Sequence, residues 1–154
     1  MLPVKSSCRD LGIIINKDLS FTEHVNSIVY KAHQRANAIH RCFESRNVNL
    51  SLRAYMVYVR PLLEHNTVIW SPHLKDNLEA IERVQRRFTK RLPGFNNFTY
   101  SERLHRLGIP TLELRRLCSD LIIMVLQNYL WLHQCYHNRI SNEEIHKHYP
   151  GSPV

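Results

Sequence analysis

The residues in this chain whose types and spacing suggest chemistry are cations. Arg83 to Arg91, "RVQRRFTKR", holds five cations in nine residues and no acid. Like charges one helical turn apart repel, so an ordinary surface helix mixes its signs. A solvated face is the plainest reading of a charge run, but the missing acids favour a polyanionic partner. Phosphate neutralisation is the commonest use of such a patch. Four of the five cations are Arg, whose planar fork can bind two phosphate oxygens at once. The field extends further along the chain: residues 83–116 hold nine Lys/Arg against two acids, Glu102 and Glu113, while the remainder holds 12 against 11. Arg83, Arg86, Arg87, Lys90, Arg91, Arg103 and Arg106 are therefore the candidate phosphate contacts, with Lys31 and Arg35 as lesser ones. The pattern suggests no base-specific reading. Phe95, Phe98 and Tyr100 follow the cluster and could stack on bases, although packing a loop onto the core is the commoner use.

Other chemistries fare worse. "HQCYH", His133 to His137, sets two His one turn apart with Cys135 pointing elsewhere, and His40-x-Cys42 is remote from it. A zinc site needs four ligands in tight pairs, so no metal or other cofactor is expected. Cys42 and Cys118 read as small core residues within apolar helices. No Gly-rich phosphate loop, nucleophile elbow or metalloprotease helix occurs, and the aspartates Asp10, Asp18, Asp76 and Asp120 are widely separated. The isolated chain does not read as an enzyme.

The elements that must position the cations are mostly helices. "DLGIII", Asp10 to Ile15, is a β-branched run that reads as a strand closed by "NKD". Ser20 and Glu23 fit a capping box, opening a helix with the stripe Phe21, Val25, Ile28, Val29, Ala32, Ala36, Ile39 and Phe43. A second helix begins near Asn49 and is kinked or broken at Pro61. Ile69 to His73 reads as a loop because the residue before a proline resists the helical region. A third helix runs from about Lys75 to Leu92, apolar at Leu78, Ile81, Val84, Phe88 and Leu92, with the cations mostly on the remaining surface. Thr99 and Glu102 form a second capping box for a short helix closed by Gly108. A last helix, rich in Leu and Ile, spans Leu112 to about Leu132.

At 154 residues, 44% apolar and 22% charged, the chain reads as a globular protein of about one domain. The four cysteines follow no disulfide framework, and residues 1–9 lack the apolar core of a secretory signal. No apolar run reaches the length of a membrane span. An intracellular, reducing compartment is the expectation, with nucleus and cytoplasm both open.

Three stretches carry a family likeness: "DLGIIINKDLSFTEHVNSIVYKAHQRANAI", "YVRPLLEHNTVIWSPHLKDNLEAIERVQRRFTKRLPG" and "YSERLHRLGIPTLELRRLCSDLI". In order, they resemble the C-terminal part of LINE-type, non-LTR retrotransposon reverse transcriptases, nearest the jockey-like elements, over roughly residues 9 to 123. Arg60-Pro61-Leu62 with Trp70-Ser71-Pro72, Glu82 to Arg87, and Leu107-Gly108 with Leu114-Arg115-Arg116 are the most specific pieces. The resemblance implies that Leu11-Gly12 corresponds to the hairpin gripping the primer end. It makes the helices after Phe21 a thumb that packs on the template–primer duplex, and the "VQRR" helix a post-thumb segment. The family's palm carboxylates, which would hold magnesium for RNA-directed DNA polymerisation, lie upstream of everything matched here, and this chain has no adjacent Asp pair.

The expected architecture is mainly α: residues 1–19 a lead-in and β element, 20–70 thumb-like helices, 71–136 a basic helical region and 137–154 a polar, disordered tail. The expected capacity is sequence-independent binding of an RNA or DNA template–primer by a fragment without catalytic carboxylates. Two other classes stay open: a helical module docking its Phe21–Phe43 stripe onto the missing palm or another protein, and a non-functional mobile-element relic.

Overall fold

A computed structural model describes residues 6–43, 47–72 and 74–148, with side chains described through Gln134. The fold is mainly α-helical behind one antiparallel hairpin, as the hydrophobic periodicity implied. Strands β1 (Ser7–Asp10) and β2 (Ile13–Asn16) pair with Cys8 opposite Ile15 and Asp10 opposite Ile13. Leu11 and Gly12 are the two-residue turn between them rather than part of a strand. Both have positive φ, 45° and 89°, the mirror-image turn whose twist matches a hairpin. Ser7 and Cys8, expected within a lead-in, form the partner strand with Arg9 and with Asp10, which was expected in the same strand as Ile13–Ile15.

Helix α1 (Thr22–Cys42) buries Val25, Ile28, Ala32, Ala36 and Ile39, the stripe read from the sequence. Its start differs from expectation. Phe21 is the N-cap without a side-chain bond, and the Ser20 hydroxyl instead accepts from the Thr22 N–H at 3.4 Å. Asn47 caps α2 (Val48–Tyr58) by accepting from the Leu50 N–H. The break ahead of Pro61 falls at Val59, because proline has no N–H for the ladder and its ring clashes with the preceding turn. A short α3 (Arg60–Glu64) follows.

Asn66, in the left-handed conformation that Asn tolerates, then opens α4 (Thr67–Trp70), so the expected loop holds a single helical turn at its start. Trp70 is fully buried and its indole N–H donates to the His65 carbonyl at 2.7 Å. The turn stops at Ser71, whose ψ of 117° is the extended backbone that the residue before Pro72 prefers.

Helices α5 (Lys75–Lys90), α6 (Tyr100–Leu107) and α7 (Leu112–His148) complete the chain. The Thr99–Glu102 capping box is present and Gly108 closes α6 at φ 64°. There the Ile109 N–H reaches the Leu104 carbonyl, a turn that requires left-handed backbone. Helix α7 was expected to end near Leu132 but runs on, since residues 133–148 contain no Gly or Pro to stop it. The expected polar tail therefore begins inside this helix, and residues 149–154 lie outside the described residues.

The chain forms two compact units, Met1–Arg116 and Leu117–Val154. In the first, α1 packs along α5, across the boundary expected at residue 70, and Tyr55, Leu63, Trp70, Val84 and Phe88 meet between them. The apolar stripe of α1 is spent inside this core and does not remain as a docking face. The second unit is, among the described residues, the helix from Leu117 onward. Cys8, Cys42 and Cys118 are free and exposed; Cys42 and Cys118 face solvent because they fall off the buried registers of their helices. Among the described residues no helix is long and apolar enough to cross a membrane.

Candidate nucleic-acid interface

The amphipathicity of α5 decides where its cations point. One side buries Ile81, Val84, Gln85, Phe88 and Thr89. At 100° per residue, Arg83, Arg87 and Lys90 fall within one narrow stripe opposite, and all three are exposed without an ion pair among the described residues. Arg91 extends the stripe and donates to Asn37 Oδ1 of α1 at 2.7 Å. Part of this arrangement serves the helix itself, since cations in the last turn complement its dipole. The stripe also acts across the α1–α5 seam. Burial, then Arg87 and Arg83, hold His33 below the ordinary imidazole range, and burial with Arg91 does the same to His40. Two imidazoles beside the ridge are thus biased toward the neutral form, and no acid falls between Arg83 and Arg91, although Asp76 and Glu79 continue the same side of α5 toward its N-terminus.

Arg86 and Arg103 behave differently. Arg86 lies on the α6 side, paired with Glu79 at 2.6 Å and set 5.1 Å from the Tyr100 ring centre. Arg103 is only 4% exposed. Its Nε donates to Thr89 Oγ1 at 3.3 Å, Nη1 to the Phe98 carbonyl at 2.6 Å and Nη2 to the Arg86 carbonyl at 3.5 Å. The guanidinium therefore closes the C-terminal end of α5, where carbonyls and dipole favour a buried cation. It is turned inward, away from solvent and any phosphate. Arg106 is exposed but lies 3.7 Å from the Phe98 ring centre, and Phe95 packs on the core. The aromatic loop is thus covered from within.

Lys31 and Arg35 do not join the ridge. His33 and Asn37, which meet the α5 arginines, lie two residues on, about 200° around α1. Arg35 donates to the Tyr58 carbonyl at the end of α2, at 3.0 Å. Lys31 instead borders a cleft of about 320 Å³ lined by Arg9, Gly12, His24, Pro61 and His65, with no acid among its lining residues. His24 is buried, and its Nδ1 accepts from the Ile14 N–H at 3.3 Å, which ties the hairpin to α1. Burial, then Lys31, His65 and Arg9, hold it below the usual range. Sequence reasoning missed Arg9 and His65, because residues 9, 31 and 65 carry no common pattern until the chain folds. Leu11, at the hairpin tip beside this cleft, is 80% exposed.

The most recognisable sequence signature turns out to be largely architectural. Gln85 of "VQRR" is 1% exposed, and its amide nitrogen donates to the Pro110 carbonyl at 2.9 Å and the Tyr100 hydroxyl at 3.2 Å. Its amide oxygen accepts from the Tyr55 hydroxyl at 3.3 Å. Glu82 accepts from the Tyr100 hydroxyl and, at 3.1 Å, from the Leu112 N–H. A carboxylate from α5 thus caps the N-terminus of α7, satisfying an orphan donor and its dipole. Burial and the adjoining carboxylate push the Tyr100 hydroxyl above its ordinary range, and burial does so to Tyr55.

Among the described residues no three His, Cys, Asp or Glu side chains converge as a metal site. His133 lies in α7, while the side chains of Cys135 and His137 are outside the described residues. The geometry offers exposed cationic surface in two places and a buried polar network between helices.

No protein-family model matches the chain and no solved structure matches it. The chain is 26% identical over 137 residues to an uncharacterised protein of Caenorhabditis elegans, covering 87% of this chain and 63% of that protein. It is 27% identical over 118 residues to a probable RNA-directed DNA polymerase from transposon BS of Drosophila melanogaster, covering 73% of this chain and 13% of the polymerase. The chain therefore spans less than two thirds of either relative, and it carries a distant, partial similarity to a transposon reverse transcriptase.

Proposed function

We propose that this chain is the thumb and post-thumb part of a LINE-type, jockey-like reverse transcriptase, and that it binds template–primer duplex through its backbone phosphates. The observation that carries this reading is the exposed stripe Arg83, Arg87, Lys90 and Arg91, with no carboxylate between its first and last cation, while Asp76 and Glu79 continue the same side of α5 one to two turns earlier. Arg86, Arg106, Lys31 and Arg35 add exposed or half-exposed charge around it, while Arg103 serves as the anchor that holds α5 to α6. The hairpin tip Leu11-Gly12, beside the Arg9 and Lys31 cleft, is the primer-grip-like element. Polymerisation belongs to palm carboxylates that this chain's separated aspartates do not reproduce, so the chain alone acts in binding.

Four cations meeting four phosphates give a log–log salt slope of about −3.6. Affinity for a short labelled RNA–DNA hybrid, read by fluorescence anisotropy, should then fall about 150-fold between about 50 and 200 mM salt. Two hybrids of unrelated sequence should bind alike. Reversing Arg83, Arg87 and Lys90 to Glu should abolish binding, whereas Arg103→Gln should lower stability and leave the slope of the folded fraction unchanged. A salt-independent affinity in the wild-type chain, or binding that survives the triple reversal, would end this reading.

A further inference from the structure

The cleft between the hairpin, α1 and α3 lies apart from the α5 ridge and holds a hydrogen-bond donor with nothing to donate to. His24 is 3% exposed. Its ring is fixed from two sides, by the Ile14 N–H at Nδ1 and by the Trp70 ring, whose centre is 5.2 Å away at an interplanar angle of 69°. Because Nδ1 accepts, the neutral imidazole carries its proton on Nε2. That N–H has no acceptor among the described residues, and the cleft is the opening that His24 lines. Buried donors are ordinarily paired, so a fixed one at a cleft marks where an acceptor belongs.

The walls around that donor are cationic. Arg9 of β1 and Lys31 of α1 are exposed and carry no ion pair among the described residues. Neighbouring acids do not offset them. Asp10 alternates to the other face of β1, and Glu64 of α3 is engaged by Arg60 and Arg115. His65 adds a second imidazole, with its Nε2 at 3.2 Å from the Asn66 amide nitrogen. The cleft thus offers two fixed positive charges beside a neutral N–H donor. A phosphodiester brings one negative charge, whereas a phosphate monoester brings about −1.5 to −2 at neutral pH and three acceptor oxygens. The cleft's volume of about 320 Å³ falls at the lower end of small-ligand pockets, about 300–1,000 Å³, which leaves room beyond the phosphate. Ile28 and Leu62 give that remaining space an apolar wall, suited to the body of a nucleoside.

We infer that this cleft is a phosphate-monoester site, in which Arg9 and Lys31 neutralise the dianion, His24 Nε2–H donates to one of its oxygens, and Ile28 with Leu62 holds an attached nucleoside. The group can come from a free mononucleotide or from the 5′ end of a nucleic-acid strand. The site does not depend on the ridge: the ridge meets phosphodiesters along a duplex, and the cleft takes one terminal phosphate.

The test is titration calorimetry of the full chain with adenosine monophosphate, beside adenosine as control, with the His24 ring nitrogens followed by NMR. The expected result is saturable binding of the monophosphate, none of adenosine, and a His24 Nε2 resonance that shifts over the same concentrations. Arg9→Ala with Lys31→Ala should weaken binding at least about tenfold. Both side chains are exposed, so the thermal transition of that variant should match wild type. Lys31→Arg, which keeps the charge, should restore most of the affinity to an otherwise wild-type chain. A short single strand carrying a 5′-phosphate is then compared with its 5′-hydroxyl counterpart. Tighter binding of the phosphorylated strand assigns the group to a strand end, and equal binding of the two assigns it to the free mononucleotide. A chain to which neither the monophosphate nor the phosphorylated strand binds saturably overturns the inference. So does binding that survives the double alanine variant or leaves the His24 resonance unmoved.

Discussion

Gln85 offers the sharpest test of whether the "VQRR" signature holds the fold or the ligand. Replacing it with Leu conserves volume but removes an amide that serves three partners. The Tyr100 hydroxyl keeps Glu82 and Pro110 is exposed, so its carbonyl can turn to water, whereas the buried Tyr55 hydroxyl is left unpaired in the interior. An orphaned buried polar group costs about 1–3 kcal/mol, and the Tyr55 hydroxyl is one such group. Against a total stability of about 5–15 kcal/mol that is a sizeable share, and for a chain of this size it lowers Tm by about 2–12 °C. The measurement is urea unfolding followed by circular dichroism, with calorimetry for Tm. Tyr55→Phe should cost less alone, and the double variant should fall short of the sum by at least about 1 kcal/mol, because its two partners are then removed together. The salt slope for hybrid binding should be unaffected in the folded fraction. If Gln85→Leu lies within about 0.5 kcal/mol of wild type, as an ordinary surface substitution does, the network is not structural and the reasoning fails.

Two further outcomes follow from local geometry. Leu11 holds φ 45° at the hairpin turn, a conformation that costs a non-Gly residue about 1–2 kcal/mol. Leu11→Asn should therefore raise stability by about 1 kcal/mol, read as a higher urea midpoint at unchanged m-value, and a lower midpoint would contradict the turn assignment. The second concerns pH. His24, His33 and His40 all sit below the ordinary imidazole value in the folded chain, so between about pH 6.5 and those folded values the unfolded chain binds more protons. Stability from this source is complete above about pH 6.5 and is lost as pH falls below it. Urea midpoints should drop from pH 7.5 to pH 5.5, and a midpoint that holds or rises on acidification would rule it out.

A good part of this chain is legible without its structure. The stripe of α1 and the apolar side of α5 follow from 3.6-residue periodicity, since a helix can bury only what recurs on one side. The Thr99–Glu102 box and the Gly108 turn follow from local hydrogen bonding and backbone freedom, which neighbours in sequence settle among themselves. The Ser20 box misled because the first turn of α1 starts one residue later, and a shift of one position takes the side chain out of reach of the N3 donor. Leu11-Gly12 misled because two-residue turns carry no periodicity. The "DLGIII" run looked continuous, while its partner strand, residues 7–10, has no hydrophobic pattern to announce it.

The net cationic charge and its concentration after residue 83 belong to the sequence alone, and no folding could change them. Which cations face outward does not. Arg83, Arg87 and Lys90 remain free for a ligand because the apolar side of α5 is claimed by α1. Arg103, twelve residues past Arg91, is drawn inward because carbonyls of α5 and the following loop converge on it. The cleft at Arg9, Lys31 and His65 exists only once the hairpin, α1 and α3 meet. Short-range sterics and periodicity are written into neighbouring residues, whereas burial of a charge or assembly of a cleft depends on groups distant in the chain, and only the packed tertiary structure decides those.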